Sequence, residues 1–261
     1  MGLSMTIRPL HTQTIDYLKV EVYENRKAMG TSAGYAVAAK MKELLQENQN
    51  IRMVFAAAPS QNEFLEALKG IEGIDWSRVI AFHMDEYIGL PANASQRFGT
   101  FLCHRLFYEV KPGEVQLINS SNAIQEECLR YGHLIEEAPI DIVCLGIGEN
   151  GHIAFNDPPV ADFCDQVAVK GVELDLACRQ QQVNDGCFET LADVPTHALT
   201  LTIPTLLSGT HLFCMVPGAT KFAAVHRTLS GPITTECPSS ILRQHPDCTL
   251  YVDTDSYGEL S

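Results

Sequence analysis

The chain predicts an α/β fold: an open, mainly parallel, doubly wound sheet flanked by helices, with a lid-like segment at about residues 160–194. Three observations carry this. Apolar runs of strand length alternate with stretches of helical periodicity. The runs are continuously apolar, as in strands buried on both faces. The 261 residues show no internal repeat, low-complexity tract or linker, which predicts a single domain over 1–261.

In order, Arg26 to Asn48 reads as a helix, with Met29, Tyr35, Val37, Ala38, Met41 and Leu44/Leu45 at mostly helical spacings. Ile51 to Ala57 is an apolar strand, followed after a turn by a helix over Asn62 to Lys69. Val79 to Met84 is a second strand. Phe98 to Tyr108 and Ser121 to Glu137 are helical, and Ile140 to Leu145 is a third strand. Val160 to Val194 is the least regular stretch, polar and cysteine-containing, and is therefore the expected lid. Leu199 to Ile203 and His211 to Val216 are further strands, Ala219 to Leu229 is a helix, and Leu250 to Val252 is a late strand.

Composition narrows the class. An apolar content of 46% with 19% charged residues is that of a globular protein with a sizeable core. Met1 to Leu10 lacks the charged-then-apolar pattern of a secretory leader, and no run approaches the roughly 20 apolar residues of a membrane span. A cytoplasmic protein without a membrane partner is expected. The formal charge of −14 argues against nucleic acid, which needs a basic footprint. It leaves room for a small anionic ligand, because one or two cations set the field inside a pocket. The nine cysteines include no CxxC pair, and the histidines have no companions at metal-ligand spacing. Reduced, mostly buried thiols and no metal site are expected.

Four segments carry candidate chemistry. Ala56 to Glu63 joins a strand to a helix. Ser60 and Glu63 match the S-x-x-E capping box, and Ala57 and Ala58 allow close backbone approach to an anion at the helix start. An ordinary helix cap explains that segment more simply. Asp85 and Glu86 end an apolar strand; as immediate neighbours their side chains point apart, so one suits a general base and the other a structural role. Cys144 to Pro159 is the most informative stretch. A buried strand ends in Gly146, Gly148 and Gly151, followed at once by His152 and then by Asp157. The literal G-x-G-x-x-G is discounted as a dinucleotide site, because it falls late in the chain and His152 stands where a helix would start. His152 suits acid–base work near neutral pH. In the fourth segment, Lys221 occupies the first turn of a helix, against the helix dipole, which an anionic ligand would justify.

These segments, in this order, resemble the glucosamine-6-phosphate deaminase/isomerase family, a branch of the group that includes the 6-phosphogluconolactonases. The matching stretches are Met84 to Pro91 (MDEYIGLP), Leu145 to Pro158 (LGIGENGHIAFNDP), Val194 to Thr200 (VPTHALT), Gly218 to Val225 (GATKFAAV) and Ser240 to Pro246 (SILRQHP), within roughly residues 26–255. The GHIAFN core is closer to the deaminases than to the lactonases. The resemblance implies conversion of an amino-sugar 6-phosphate, glucosamine 6-phosphate or galactosamine 6-phosphate, to a ketose 6-phosphate with loss of ammonia. It implies no cofactor, a place in N-acetylglucosamine catabolism, and possible homo-oligomers. Asp85 is then the base acting between C2 and C1, and His152 assists ring opening. Asp157 orients His152, and Asn150 belongs to the same catalytic set. Lys221 and Ser60, with the Ala57–Pro59 backbone, hold the phosphate. Arg179 is a second phosphate contact, and Glu86 and Gly151 complete the substrate-binding set.

The chain also departs from the family pattern. Asn150 stands where aspartate is frequent, and Asp157 stands where glutamate is usual, one methylene shorter. Alanines and Pro59 replace a glycine-rich phosphate turn, which disfavours positive φ and removes one N–H donor. Two other functions therefore stand beside the leading one. A lactonase would use His152 to activate water but would leave Asp85 without a task. A non-catalytic sugar-phosphate sensor would fit the altered loops.

Overall fold

The computed structural model describes residues 7–258. In chain order the strands are β1 (His11–Ile15), β2 (Leu18–Tyr23), β3 (Ile51–Phe55), β4 (Val79–His83), β5 (Asp85–Tyr87), β6 (Glu114–Gln116), β7 (Ile142–Leu145), β8 (Val169–Glu173), β9 (His197–Leu201), β10 (His211–Val216) and β11 (Cys248–Asp253). The helices are α1 (Arg26–Glu47), α2 (Asn62–Lys69), α3 (Phe98–Leu102), α4 (Tyr108–Val110), α5 (Ile124–Glu136), α6 (Leu176–Asn184), α7 (Ile203–Leu207), α8 (Phe222–Ser230) and α9 (Thr254–Tyr257). A π-helical turn over Cys103–Phe107 joins α3 to α4.

Eight strands form one sheet in the order β1-β2-β11-β10-β7-β3-β4-β6. Every neighbouring pair is parallel except β1–β2. Successive residues of a strand face opposite sides, so the sheet feeds two cores. Val143 and Leu145 of β7 join one cluster with Val54, Leu212 and Leu250. Ile142 and Cys144 join the other with Met53, Phe55 and Met215. This is why the strands read as unbroken apolar runs. From β3 the chain winds outward through β4 and β6, and from β7 it winds the other way through β10 and β11. The β3–β7 junction is thus the switch point, and a crevice opens at the carboxyl ends of its strands.

Three features differ from the sequence expectation. Residues 11–23, where no element is expected, form the β1–β2 hairpin; Leu18, Val20 and Val22 are buried beside β11, while Lys19 is exposed. Leu199 to Ile203 is not a strand of the main sheet. β9 ends at Leu201 and is the centre of a separate antiparallel sheet, β5-β9-β8, while Ile203 opens α7 with Pro204 in its first turn. The expected lid contains regular structure, since β8 lies in that small sheet and α6 follows it. Beneath it Tyr87, Phe155, Cys178, Phe188 and Val194 make a third apolar cluster.

Candidate active site

The crevice at the switch point is lined from six places in the chain, one of them Phe98 at the start of α3. After β3 come Ala56, Ala57, Ala58, Ser60 and Gln61. At the β4–β5 bend lie Met84 and Asp85. After β7 come Gly146, Gly148, His152 and Ala154. α6 supplies Gln181 and Gln182, and the turn after β10 supplies Lys221.

Two of these places are built alike. After β3 the chain makes a 3₁₀ turn over Pro59–Gln61 and then enters α2; after β10 it makes a 3₁₀ turn over Ala219–Lys221 and then enters α8. Gln61 and Lys221 hold the same place in the two turns. Gln61 is fully buried and its Nε2 donates to Met215 O at 3.2 Å, tying the loops together. Gly218 sits at φ +95°, and its N–H donates to both carboxylate oxygens of Asp253 at 3.0 and 3.1 Å. Asp253 therefore sets the turn that aims Lys221. The expected S-x-x-E box does not form: no side chain caps α2, and Glu63 instead pairs with Arg26 at 2.7 Å. The intervening 3₁₀ turn makes Gln61, not Ser60, the residue before the helix. This leaves Ser60 on the crevice wall.

Lys221 is 4% exposed, and among the described residues no carboxylate approaches it within ion-pair distance. Burial holds its pKa below the usual lysine range, only partly offset by Asp185 and Glu149. A buried, unpaired ammonium favours an anionic ligand.

At Met84 the chain leaves the main sheet; Met84 O accepts the Leu201 N–H at 2.7 Å, and β5 pairs with β9. The strand alternation then separates the two carboxylates. Asp85 enters the crevice. Burial, with Glu86 and Asp157 adding negative charge, pushes its pKa well above the usual carboxylate range. Glu86 turns away. It accepts N–H bonds from Tyr87, Phe98 and Gly99 at 3.0, 3.1 and 3.1 Å and lies 3.6 Å from Arg97 Nε. It holds the start of α3 and does not line the crevice, contrary to its expected place in the substrate-binding set. His83, at the end of β4, is also structural: burial lowers its pKa to about 3, and its neutral Nε2 accepts the Ile118 N–H at 2.8 Å.

The glycines after β7 make room for His152. A Cβ on Gly148 would lie 2.2 Å from the imidazole ring, so the ring rests on bare backbone. Gly151 is at φ +91°, and its Cβ position is filled by Cys237 Sγ at 2.8 Å. The Gly151 N–H donates to Gly148 O at 2.9 Å and is not presented to a ligand. Gly151 thus shapes the loop and, contrary to its expected place in the substrate-binding set, is not among the crevice-lining residues. Behind His152, Asp157 Oδ1 lies 2.8 Å from Nδ1. The two atoms are close, although among the described residues the angle at Nδ1 falls short of an aligned hydrogen bond. Burial pushes Asp157 up, but His152, Asn150 and the Asp175 N–H outweigh it and hold the carboxylate below its usual range. Asn150 Nδ2 donates to Asp157 Oδ1 at 2.9 Å, and its Oδ1 accepts the His152 N–H at 3.0 Å. Asn150 is therefore a positioning residue behind the histidine.

Arg179 does not enter the crevice. Its guanidinium donates to Leu191 O and Val194 O at 2.7 and 2.9 Å and fastens the end of the 160–194 segment. The helical period instead turns Gln181 and Gln182 inward; Gln181 Oε1 accepts the Glu149 N–H at 2.8 Å. Gln61, Gln181, Gln182, Asp253 and Cys178 were not singled out from sequence. The Gln180–Gln182 run was the available signal. Cys178 comes from α6 to meet His152 and Asp157, and the three form a group of potential metal donors that sequence spacing does not reveal.

A family model described as glucosamine-6-phosphate isomerases/6-phosphogluconolactonase matches residues 24–251. A glucosamine-6-phosphate deaminase of Leuconostoc citreum is 35% identical over 188 residues, covering 72% of this chain and 78% of that protein. One from Thermoanaerobacter pseudethanolicus is 30% identical over 245 residues, covering 92% and 94%. Among solved structures, a monomeric glucosamine-6-phosphate deaminase superposes with a TM-score of 0.84 at 27% identity, covering 91% of this chain and 98% of that one. A 6-phosphogluconolactonase from Thermotoga maritima reaches 0.75 at 20% identity, covering 90% and 99%, a likeness of fold alone.

Proposed function

Because the chain belongs to the glucosamine-6-phosphate isomerase/6-phosphogluconolactonase family, we propose that it is a glucosamine-6-phosphate deaminase, converting an amino-sugar 6-phosphate and water to a ketose 6-phosphate and ammonia. The observation that carries this reading is that Asp85, His152 and Lys221 line one crevice. A C2 base is needed for isomerisation and has no task in lactone hydrolysis.

Each residue then has a role. Lys221, with Ser60 and the Ala57–Ala58 backbone, receives the phosphate. His152 hands a proton to the ring oxygen as the ring opens. Asp157, held ionised, stabilises the imidazolium that gives that proton. Asp85 moves the proton from C2 to C1, leaving an imine at C2. Water then cleaves the imine to the ketone and ammonia. The raised pKa of Asp85 makes it a stronger base than a solvated carboxylate once ionised. N-acetylglucosamine catabolism in the cytoplasm is the setting this reading assigns.

The direct test is ammonia release from glucosamine 6-phosphate and galactosamine 6-phosphate in parallel, with the ketose phosphate identified. Release from either sugar supports the deaminase and names its substrate. Release from neither, with hydrolysis of 6-phosphogluconolactone, would replace it by the lactonase.

Two further results are expected. Lys221→Ala should raise KM about 10–100-fold with a smaller change in kcat, the loss of a hydrogen bond to a charged group. Unchanged KM would put the phosphate elsewhere. In the pH profile of kcat/KM, Asp85 must be ionised to act and Lys221 must be charged to bind. The acid limb should therefore lie above the usual carboxylate range and the alkaline limb below the usual lysine range. Asp85→Glu, which moves the carboxylate within the pocket, should displace only the acid limb.

A further inference from the structure

We propose that His152, Asp157 and Cys178 form a binding site for zinc or a similar divalent ion, and that filling it shuts the crevice down. One ring nitrogen of His152, an Asp157 carboxylate oxygen and Cys178 Sγ all lie within 4.8 Å of one another, and all three residues are buried. Nitrogen, oxygen and sulfur together are the donor set of four-coordinate zinc, and the adjoining crevice leaves a fourth position for water. One detail of the cluster points to an ion. His152 Nδ1 is buried with no aligned hydrogen-bond partner, although Asp157 Oδ1 is 2.8 Å away. Burial and the negative charge of Asp157 push the Cys178 thiol up, so without an ion it keeps its proton, which the cation would replace.

The charge balance favours the exchange. A thiolate and a carboxylate neutralise a dication among three buried side chains. Binding to neutral His152, ionised Asp157 and the Cys178 thiol releases one proton, the thiol's, and needs no oxidant or reductant. Affinity therefore rises with pH. With Nδ1 on the metal and Nε2 carrying the ring proton, His152 no longer cycles between its neutral and protonated forms. Because Cys178 belongs to α6 and the other two to the loop after β7, the ion also staples the 160–194 segment over the crevice.

The experiment uses the full chain freed of metal and titrated with Co²⁺ as a spectroscopic stand-in. The expected result is uptake of one ion per chain, with a thiolate-to-cobalt charge-transfer band and the strong visible bands of four-coordination, all displaced by Zn²⁺. Cys178→Ala should abolish the charge-transfer band and weaken Zn²⁺ binding by at least about 10-fold. Replacing the exposed Cys164 by Ser should leave both unchanged. A wild-type chain that takes up no cobalt, or a band that persists in Cys178→Ala, overturns the site. If Cys178→Ala lacks the native circular dichroism spectrum, Cys178→Ser makes the same comparison.

Metal uptake is measured without substrate and stands apart from the deaminase reading. The loss of turnover rests on that reading. Zn²⁺ should stop ammonia release by wild type at the occupancy measured by titration, with chelation restoring it. Full turnover at full occupancy would overturn the inhibitory role.

Discussion

Asp85→Asn is expected to lower kcat by about 10²–10⁴-fold, the usual contribution of a positioned general base, while sugar-phosphate binding persists. The same substitution should raise thermal stability at neutral pH. Burial and the negative charge of Glu86 and Asp157 raise the Asp85 pKa in the folded chain. Stability from such a group is complete below its unfolded pKa and is lost as pH rises through the folded one. At pH 7, well above the unfolded pKa, Asp85 therefore costs stability, and a neutral isostere relieves that cost. Each kcal/mol relieved appears as about 2–4 °C in Tm for a protein of this size. The gain should shrink as the wild type is acidified and Asp85 takes up its proton. Kinetics and calorimetry on one variant separate the outcomes. Near-native turnover removes Asp85 from the mechanism, and lost turnover with lost stability marks it as merely structural.

His152→Gln should lower kcat on the cyclic sugar phosphate by a similar factor, about 10²–10⁴-fold. The reason is specific: the imidazole is assigned to ring opening, not to the C2–C1 proton transfer. A 5-deoxy analogue of the amino-sugar phosphate cannot close the pyranose ring, so it bypasses that step. On this analogue the variant should retain turnover within about 10-fold of wild type. Equal losses on both substrates would mean that His152 acts in the proton transfer itself. Glutamine keeps a polar side chain against Gly148 and Asp157, which limits damage to the loop.

The fold was legible where strands are buried on both faces. Ile142 to Leu145 feeds both cores, so its apolar run has no gaps. It was less legible where the chain changes sheets. β5 is three residues long and pairs only with β9, far along the chain, so nothing local marks it as a strand. The β1–β2 hairpin does leave a signal, the alternation of Leu18, Val20 and Val22 with Lys19 and Glu21. In the site, Asp85, His152 and Lys221 stood out because each follows an apolar strand. Glu86 and Arg179 lie away from the crevice, because their partners, the N–H groups opening α3 and the carbonyls of Leu191 and Val194, are set by tertiary contacts.

By itself the sequence determined the strand–helix alternation, the glycine turn that makes room for His152, and the chemical types available to the crevice. These rest on local periodicity and on steric rules that act within a few residues. Only the tertiary structure decided which of two adjacent carboxylates faces the crevice, which turn residue reaches it, and that Cys178 stands beside His152 and Asp157. Those outcomes depend on strand pairing and packing between segments distant in the chain. The direction of a side chain there is set by its partners across space and not by its neighbours in sequence.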